Sequence, residues 1–265
     1  MKVFTMSEKW QNAPLFYVLA EIRFNSIELM ERYVPEFQEV LRKNGFPDFR
    51  EEINENVNIR QVESGEHQVN TTQRKRWVFN DIDVRKGFIL GQDRIMFHTT
   101  SYDTFPLFLD EMTKGIEQLN SLVGIDFIER AGVRYVDVIL PKEDDKVEDY
   151  INQNLLGFNF SEGDRSHNIV ESSAQIGGGT LVARAAVFEN GLAFPPDLLP
   201  LVLKPENKFN IEDIKTNAQI DVDHFVERRF PFALSAIQKL LSDSHNIAND
   251  TFRSSITEYA AGIWK

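Results

Sequence analysis

The stretch "AGVRYVDVIL", residues 131–140, has the composition of a buried β-strand and yet carries charged side chains. Apolar and β-branched residues dominate it, and Pro141 ends it. A guanidinium is costly to bury without a partner, so Arg134 needs either a carboxylate inside the fold or a polar ligand. We expect this strand to organise both the fold and any site the protein has.

Two predicted strands carry the candidate binding residues. Side chains alternate along a strand, which places Arg130 and Arg134 on one face of this strand and Tyr135 on the other. In the first predicted strand, "LFYVLAEIRF", Glu21 and Arg23 share the polar face. If the two strands are neighbours, Glu21 is a candidate partner for Arg134. The candidate ligand-binding residues are Arg23, Glu21, Arg130, Arg134 and Tyr135, and internal pairing and a ligand or partner surface both stay open.

The order of predicted elements favours an α+β fold with antiparallel sheets and helices packed on one face. Residues 1–141 read as β-α-β-β-β-α-β, with the first helix proper beginning near Val34 and an acidic arm or loop at 50–72 that can add a strand. Residues 142–265 read as three strands followed by two helices. We therefore predict two lobes that meet near residues 142–170.

Three features of the second half carry more specific expectations. The proline-rich run "FPPDLLPLVLKPENK" is a loop that can pack over a groove. "GGGT", residues 177–180, indicates a hairpin turn or close backbone packing, because a phosphate loop needs a helix start after it. A capping-box pattern from Ser255 to Glu258 predicts a terminal helix, whose core-facing residues follow helical spacing: Phe252, Ile256, Tyr259 and Ile263.

Composition excludes several classes of protein. The 265 residues hold 29 Lys+Arg against 41 Asp+Glu, a net charge of −12, so general attraction to nucleic acid or an anionic membrane is not expected. Arg74, Lys75 and Arg76 form a local basic cluster that could bind phosphate, with a solvated strand start as the alternative. The absence of cysteine excludes disulfides and thiolate chemistry. With no signal-like or membrane-spanning segment, the expected location is the cytoplasm.

Metal and catalytic motifs are weak. Asp221 and Asp223 form a D-x-D on a predicted strand, so both carboxylates share a face and could bind Mg²⁺, with a solvated sheet face as the alternative. The five histidines lack metal-ligand spacing, and His245 is expected to be a hydrogen-bonded core residue. No catalytic residue, metal site or cofactor is predicted, and whether the protein is an enzyme stays uncertain, leaning towards no.

Three segments resemble a sporadically distributed bacterial protein family of unknown function. They are "APLFYVLAEIRF" near the start, "AGVRYVDVILP" in the middle and "FRSSITEYAAGIW" at the end, in the family's order and at its length of about 260 residues. Val136-Asp137-Val138 departs from the polar–basic pair usual there. The resemblance implies no activity, and the family's scattered distribution is similar to that of mobile or defence-associated genes.

These observations favour a non-enzymatic binding or accessory protein, a regulatory partner of another protein in a bacterial mobile or defence locus. The alternative is an enzyme or sensor that acts on a nucleotide or RNA through Arg23, Arg134 and the Asp221/Asp223 pair. An enzyme needs a pocket in which charged groups converge, whereas an adapter needs an exposed apolar patch or edge strand. The sequence leaves the oligomeric state open.

Overall fold

The computed structural model describes residues 10–61, 67–142, 144–158, 162, 166–189, 191, 194–209 and 216–265, with the backbone alone at 54–61 and 67–74. The strands are β1 (Leu15–Phe24), β2 (Asp48–Gln61), β3 (His67–Asn80), β4 (Lys86–Leu90), β5 (Arg94–Thr99), β6 (Phe127–Ile139), β7 (His167–Ile176), β8 (Gly179–Phe188) and β9 (Asn217–Pro231). The helices are α1 (Met30–Lys43), α2 (Phe105–Val123), α3 (Leu234–Ser255) and α4 (Glu258–Trp264).

The nine strands of the described residues belong to one antiparallel sheet, in the order β2-β3-β4-β5-β1-β6-β9-β8-β7. The predicted α+β class is therefore confirmed, and the acidic stretch does supply an additional strand, β2. The predicted division into two lobes is not confirmed. β6 and β9 lie on opposite sides of the predicted boundary, yet they pair from Phe127↔Pro231 to Ile139↔Ala218.

The helices cover one face of the sheet, as predicted. α3 packs on β6 and β9, α2 on β5 and α1 on β3. Between helices and sheet lies the main core, which alternate residues of each strand enter; on β1 these are Val18, Ala20, Ile22 and Phe24. Burial of these large apolar side chains supplies most of the free energy that favours folding. None of the described helices is both long and apolar enough to cross a bilayer.

The opposite face of the sheet, here called the outer face, is partly covered by residues 194–209, here called the strap. Leu203 and Phe209 of the strap pack against Phe16, Tyr17, Val136 and Val138 of the two central strands. The proline-rich loop, expected to pack over a groove, thus packs on the face of the sheet through this small second core. The outer face beyond the strap carries the charged side chains described below.

Local predictions hold at the hairpin but fail at two helix starts. Gly177 and Gly178 have φ of 61° and 77°, the left-handed values that a type I′ turn between β7 and β8 requires. Helix α1 begins at Met30, not near Val34, because Met30 is fully buried in the core and its N–H bonds to the Ile27 carbonyl. Pro35 consequently lies inside the helix.

The terminal helix starts later than predicted, since α3 continues through Ser255. Thr257 caps α4 by accepting a hydrogen bond from the Ala260 N–H at 3.1 Å. This later start turns Ala260 and Trp264 into the core and leaves Tyr259 49% exposed, so the prediction for Tyr259 is wrong. Ile256 is buried, and Phe252 and Ile263 pack against the core as predicted.

Candidate functional site

Arg134 is held by two carboxylates on the outer face. Its Nε and Nη2 donate to the two oxygens of Asp221 on β9, at 2.7 and 2.8 Å. Its Nη1 and Nη2 donate to the two oxygens of Asp197 on the strap, at 2.6 and 3.1 Å. Planar fork-to-fork contacts of this kind are the strongest arginine–carboxylate geometry. The prediction that an internal carboxylate holds Arg134 is confirmed.

These contacts are part of a longer series that crosses four strands. Arg184 on β8 donates to Asp221 at 3.2 Å and to Glu171 on the edge strand β7 at 2.5 Å. The series Asp197–Arg134–Asp221–Arg184–Glu171, here called the ion-pair row, alternates in sign from the strap to the edge of the sheet. It is buried in the middle, where Asp221 is 0% exposed, and open at both ends.

Burial and charge set the ionisation of the row. Burial lowers the pKa of the Arg134 guanidinium, but its hydrogen bonds to Asp221 and Asp197 outweigh burial and leave that pKa above its usual value. The hydrogen bond from Arg134 lowers the pKa of Asp197, and the charge of Arg184 adds a smaller effect in the same direction. Arg134 and Asp197 are therefore both charged at neutral pH.

A second cluster surrounds Glu21, which is buried. Arg130 donates to it at 2.6 Å, Arg23 at 2.8 Å and Arg94 at 3.4 Å. The prediction that Glu21 pairs with Arg134 is wrong. Register explains why: Glu21 lies opposite Gly132, whereas Arg134 lies opposite Leu19. The predicted residues Glu21, Arg23 and Arg130 thus come together, but they form a cluster separate from the ion-pair row.

Tyr135 does not join either cluster. It points to the helix side, where its hydroxyl hydrogen-bonds with Nδ1 of His245 at 2.7 Å. His245 also stacks on Phe105, with the ring centroids 3.9 Å apart, and burial lowers its pKa to about 4. His245 is thus the hydrogen-bonded core histidine that the sequence predicted. Tyr135 is a buried structural residue in the same contact.

The D-x-D pair does share the outer face, as alternation predicted. Asp221, however, is engaged by Arg134 and Arg184, and Asp223 lies 3.5 Å from Arg130. Burial raises the pKa of the Asp223 carboxyl, which weakens it as a metal ligand. Within the described part of the chain, no group of three or more His, Asp and Glu side chains is arranged to hold a metal ion.

The basic cluster is also engaged in ion pairs. Lys75 pairs with Glu31 and Glu51, and Arg76 pairs with Glu52. The side chain of Arg74 lies outside the described residues. The described members of this cluster therefore neutralise neighbouring acids and do not form a free positive patch.

Sequence patterns missed Asp197 and the buried pair of Tyr17 and His98. The Tyr17 hydroxyl hydrogen-bonds with Nδ1 of His98 at 2.7 Å, and His98 Nε2 is buried without a hydrogen-bond partner among the described residues. Asp197 stands in a loop with no periodic pattern, so only its proline-rich surroundings marked the segment.

Comparison with protein-family models finds no match, and comparison with curated proteins also finds none. The resemblance to a bacterial family stays a prediction.

Proposed function

We propose that the protein is a non-enzymatic binding protein that takes up an extended segment of another protein along β7. The observation that carries this proposal is the exposed edge of that strand. β7 is the last strand of the sheet, and it pairs with β8 over its whole length from His167 to Ile176. Nearly all of its residues are exposed, including Ile169 at 60%.

The sequence of this strand lacks the residues that usually protect a sheet edge from pairing. Its sequence, "HNIVESSAQI", contains no lysine, no proline and one acidic residue. The opposite edge strand, β2, begins instead with charged side chains: Asp48, Arg50, Glu51 and Glu52. The unprotected edge is therefore β7, and addition of a strand there is a common mode of peptide recognition.

The hairpin turn determines which backbone groups of β7 are available. In a two-residue type I′ hairpin the residues that flank the turn, Ile176 and Gly179, form a hydrogen-bonded pair. Such pairs alternate along an antiparallel ladder. The even-numbered residues of β7 thus bond to β8, and the odd-numbered ones, such as Glu171 and Ser173, direct their N–H and C=O groups away from the sheet.

Charge indicates what the incoming segment carries. Glu171 is the exposed terminal member of the ion-pair row, and its only inward partner in the row is Arg184. An arginine or lysine on the incoming strand opposite Glu171 continues the alternation of sign, and cross-strand pairs of opposite charge are favourable. The net charge of −12 favours a basic partner in the same way.

The alternative, an enzyme or sensor for a nucleotide or RNA, requires arginines that can reach a phosphate. Arg23 is engaged by Glu21, and Arg134 by Asp197 and Asp221. Two pockets on the described surface, one lined by Arg85 and one by Tyr150, include neither Arg23 nor Arg134 in their linings. No specific observation favours this alternative, whereas the edge of β7 favours the binding protein. A role in a bacterial mobile or defence locus stays a prediction.

Capture from the native host with Ser173→Pro and Ser173→Ala as baits tests the proposal. The proline variant removes an outward N–H and blocks the edge, yet it spares the bonds to β8; the alanine variant keeps the N–H. We expect a protein that wild type and Ser173→Ala retain, that Ser173→Pro loses, and that Glu171→Arg weakens. Equal capture by all four folded baits, judged by their melting temperatures, would contradict docking on β7.

A further inference from the structure

Asp197 is exposed, yet its carboxylate accepts hydrogen bonds from two nitrogens of the buried Arg134 guanidinium. Its side chain is 63% exposed, whereas that of Arg134 is 9% exposed. Arg134 is already bound through two nitrogens by Asp221, so the fold has a charge partner for it without Asp197. The contact with Asp197 therefore uses the remaining donor edge of the guanidinium, the edge that faces the strap.

The strap does not depend on Asp197 for its position. Phe194, Leu203 and Phe209 anchor it in the second core beside the central strands. Asp197 lies between these anchors, in a short 3₁₀ turn (Pro196–Leu198) that follows the buried Pro195 and packs Leu198 against the same core. Because the Asp197 side chain is 63% exposed, its rotation into the solvent would uncover Arg134 while the turn stays packed.

Without Asp197 the outward donor edge of Arg134 would face the solvent, and the ion-pair row would lose its one excess negative charge. The rest of the ion-pair row then has two arginines, Arg134 and Arg184, against two carboxylates, Asp221 and Glu171. Two parallel N–H donors of arginine match the two oxygens of a carboxylate, which is the group that occupies them in the folded chain.

We propose that Arg134, supported by Arg184, is a binding site for a carboxylate ligand, and that the chain's own Asp197 occupies it in the unliganded protein. An entering carboxylate exchanges one fork-to-fork contact for another of the same kind. The tethered Asp197 competes at a high effective concentration, so it lowers the apparent affinity of the site and acts as an internal inhibitor. This site is independent of docking along β7.

Removal of the competitor tests this assignment, with succinate as the probe and isothermal titration as the measurement. Asp197→Ala is expected to bind succinate at least about tenfold more tightly than wild type. Asp197→Asn keeps the size of the side chain and is expected to gain less. Glu206→Ala is the matched control: it removes one negative charge from the same strap without touching Arg134, and it is expected to bind as wild type does.

The double variant Asp197→Ala/Arg184→Gln is expected to lose most of the gain, since the second positive charge is missing. Two outcomes overturn the proposal: succinate affinity in both Asp197 variants that equals that of Glu206→Ala, or an undiminished gain in the double variant. Inorganic phosphate at the same ionic strength is the second probe. Tighter binding of phosphate than of succinate by Asp197→Ala overturns the assignment to carboxylates.

Discussion

Arg134 and Asp221 meet diagonally across two strands, not directly opposite each other. The Cα partner of Arg134 on β9 is Asp223, and that of Asp221 on β6 is Val136. The guanidinium nevertheless reaches past Asp223 to form two hydrogen bonds with Asp221. This diagonal contact joins the two halves of the sequence at the middle of the sheet.

Loss of Arg134 should therefore destabilise the protein strongly. Arg134→Ala leaves Asp221 fully buried with Arg184 as its remaining partner in the row, and removal of one member of a buried ion pair typically costs about 3–5 kcal/mol. Arg229, paired with Glu129 at the exposed end of β9, is the matched control, and Arg229→Ala should cost at most about 1 kcal/mol. Urea unfolding of both variants measures the difference. Equal midpoints would show that the Arg134 pair contributes no more than a surface pair.

Two helical glycines should respond in opposite directions to alanine. In α2, a Cβ at Gly115 would lie 2.2 Å from the Phe88 ring, so Gly115→Ala should cost about 1–3 kcal/mol through overpacking. In α4, no atom lies within 4 Å of a Cβ at Gly262, so Gly262→Ala should stabilise by up to about 1 kcal/mol. Thermal melts compare the two. A rise in melting temperature for Gly115→Ala would mean that α2 does not sit against Phe88.

The terminal helix should contribute to global stability through Trp264. This side chain is buried against Phe252, Tyr150 and Trp10. Trp264→Ala should lower the free energy of unfolding by about 3–5 kcal/mol, the usual cost of removing a buried aromatic side chain. The half-exposed Tyr259 is the control, and Tyr259→Phe should cost no more than about 1.5 kcal/mol for its hydrogen bond to Asp145. If the two variants unfold at the same denaturant concentration, α4 is a peripheral tail.

Acid should destabilise the protein partly through His98. Burial lowers the pKa of His98 to about 3, and the charge of Arg76 acts in the same direction. The unfolded chain titrates near 6.5, so between about pH 6.5 and 3 the unfolded state binds a proton that the folded state does not. This group should lower the free energy of unfolding by about 1.4 kcal/mol for each pH unit in that window, and it should have no effect above the window.

The difference between wild type and His98→Gln isolates this effect from that of other titrating groups. Denaturant unfolding at pH 7.5, 6.0 and 5.0 should show a shallower loss of stability for His98→Gln than for wild type. His167→Gln, at an exposed position, should follow wild type. Superimposed curves for His98→Gln and wild type would refute a depressed pKa at His98.

The sequence by itself determined most of the strands and helices, and which side chains of a strand share a face. Alternation placed Glu21 and Arg23 on one face of β1, and Arg130 and Arg134 on one face of β6, because side-chain direction within a strand depends only on local geometry. The glycine pair at 177–178 predicted its turn for the same reason. The cost of a buried guanidinium also required some partner for Arg134, without indicating which one.

Only the tertiary structure decided which partners meet. Asp221 and Asp197 lie 87 and 63 positions from Arg134 along the chain, and their contact depends on strand order, on register and on the path of the strap. Several acids and arginines share the outer face, so alternation alone allowed Glu21 as the partner. Non-local pairing also placed strands of both predicted lobes in one sheet. The hydrogen bonds between β6 and β9, and the packing of α3 across both strands, stabilise this continuous sheet. The charged and polar residues at 142–170, which suggested a boundary, do not interrupt it.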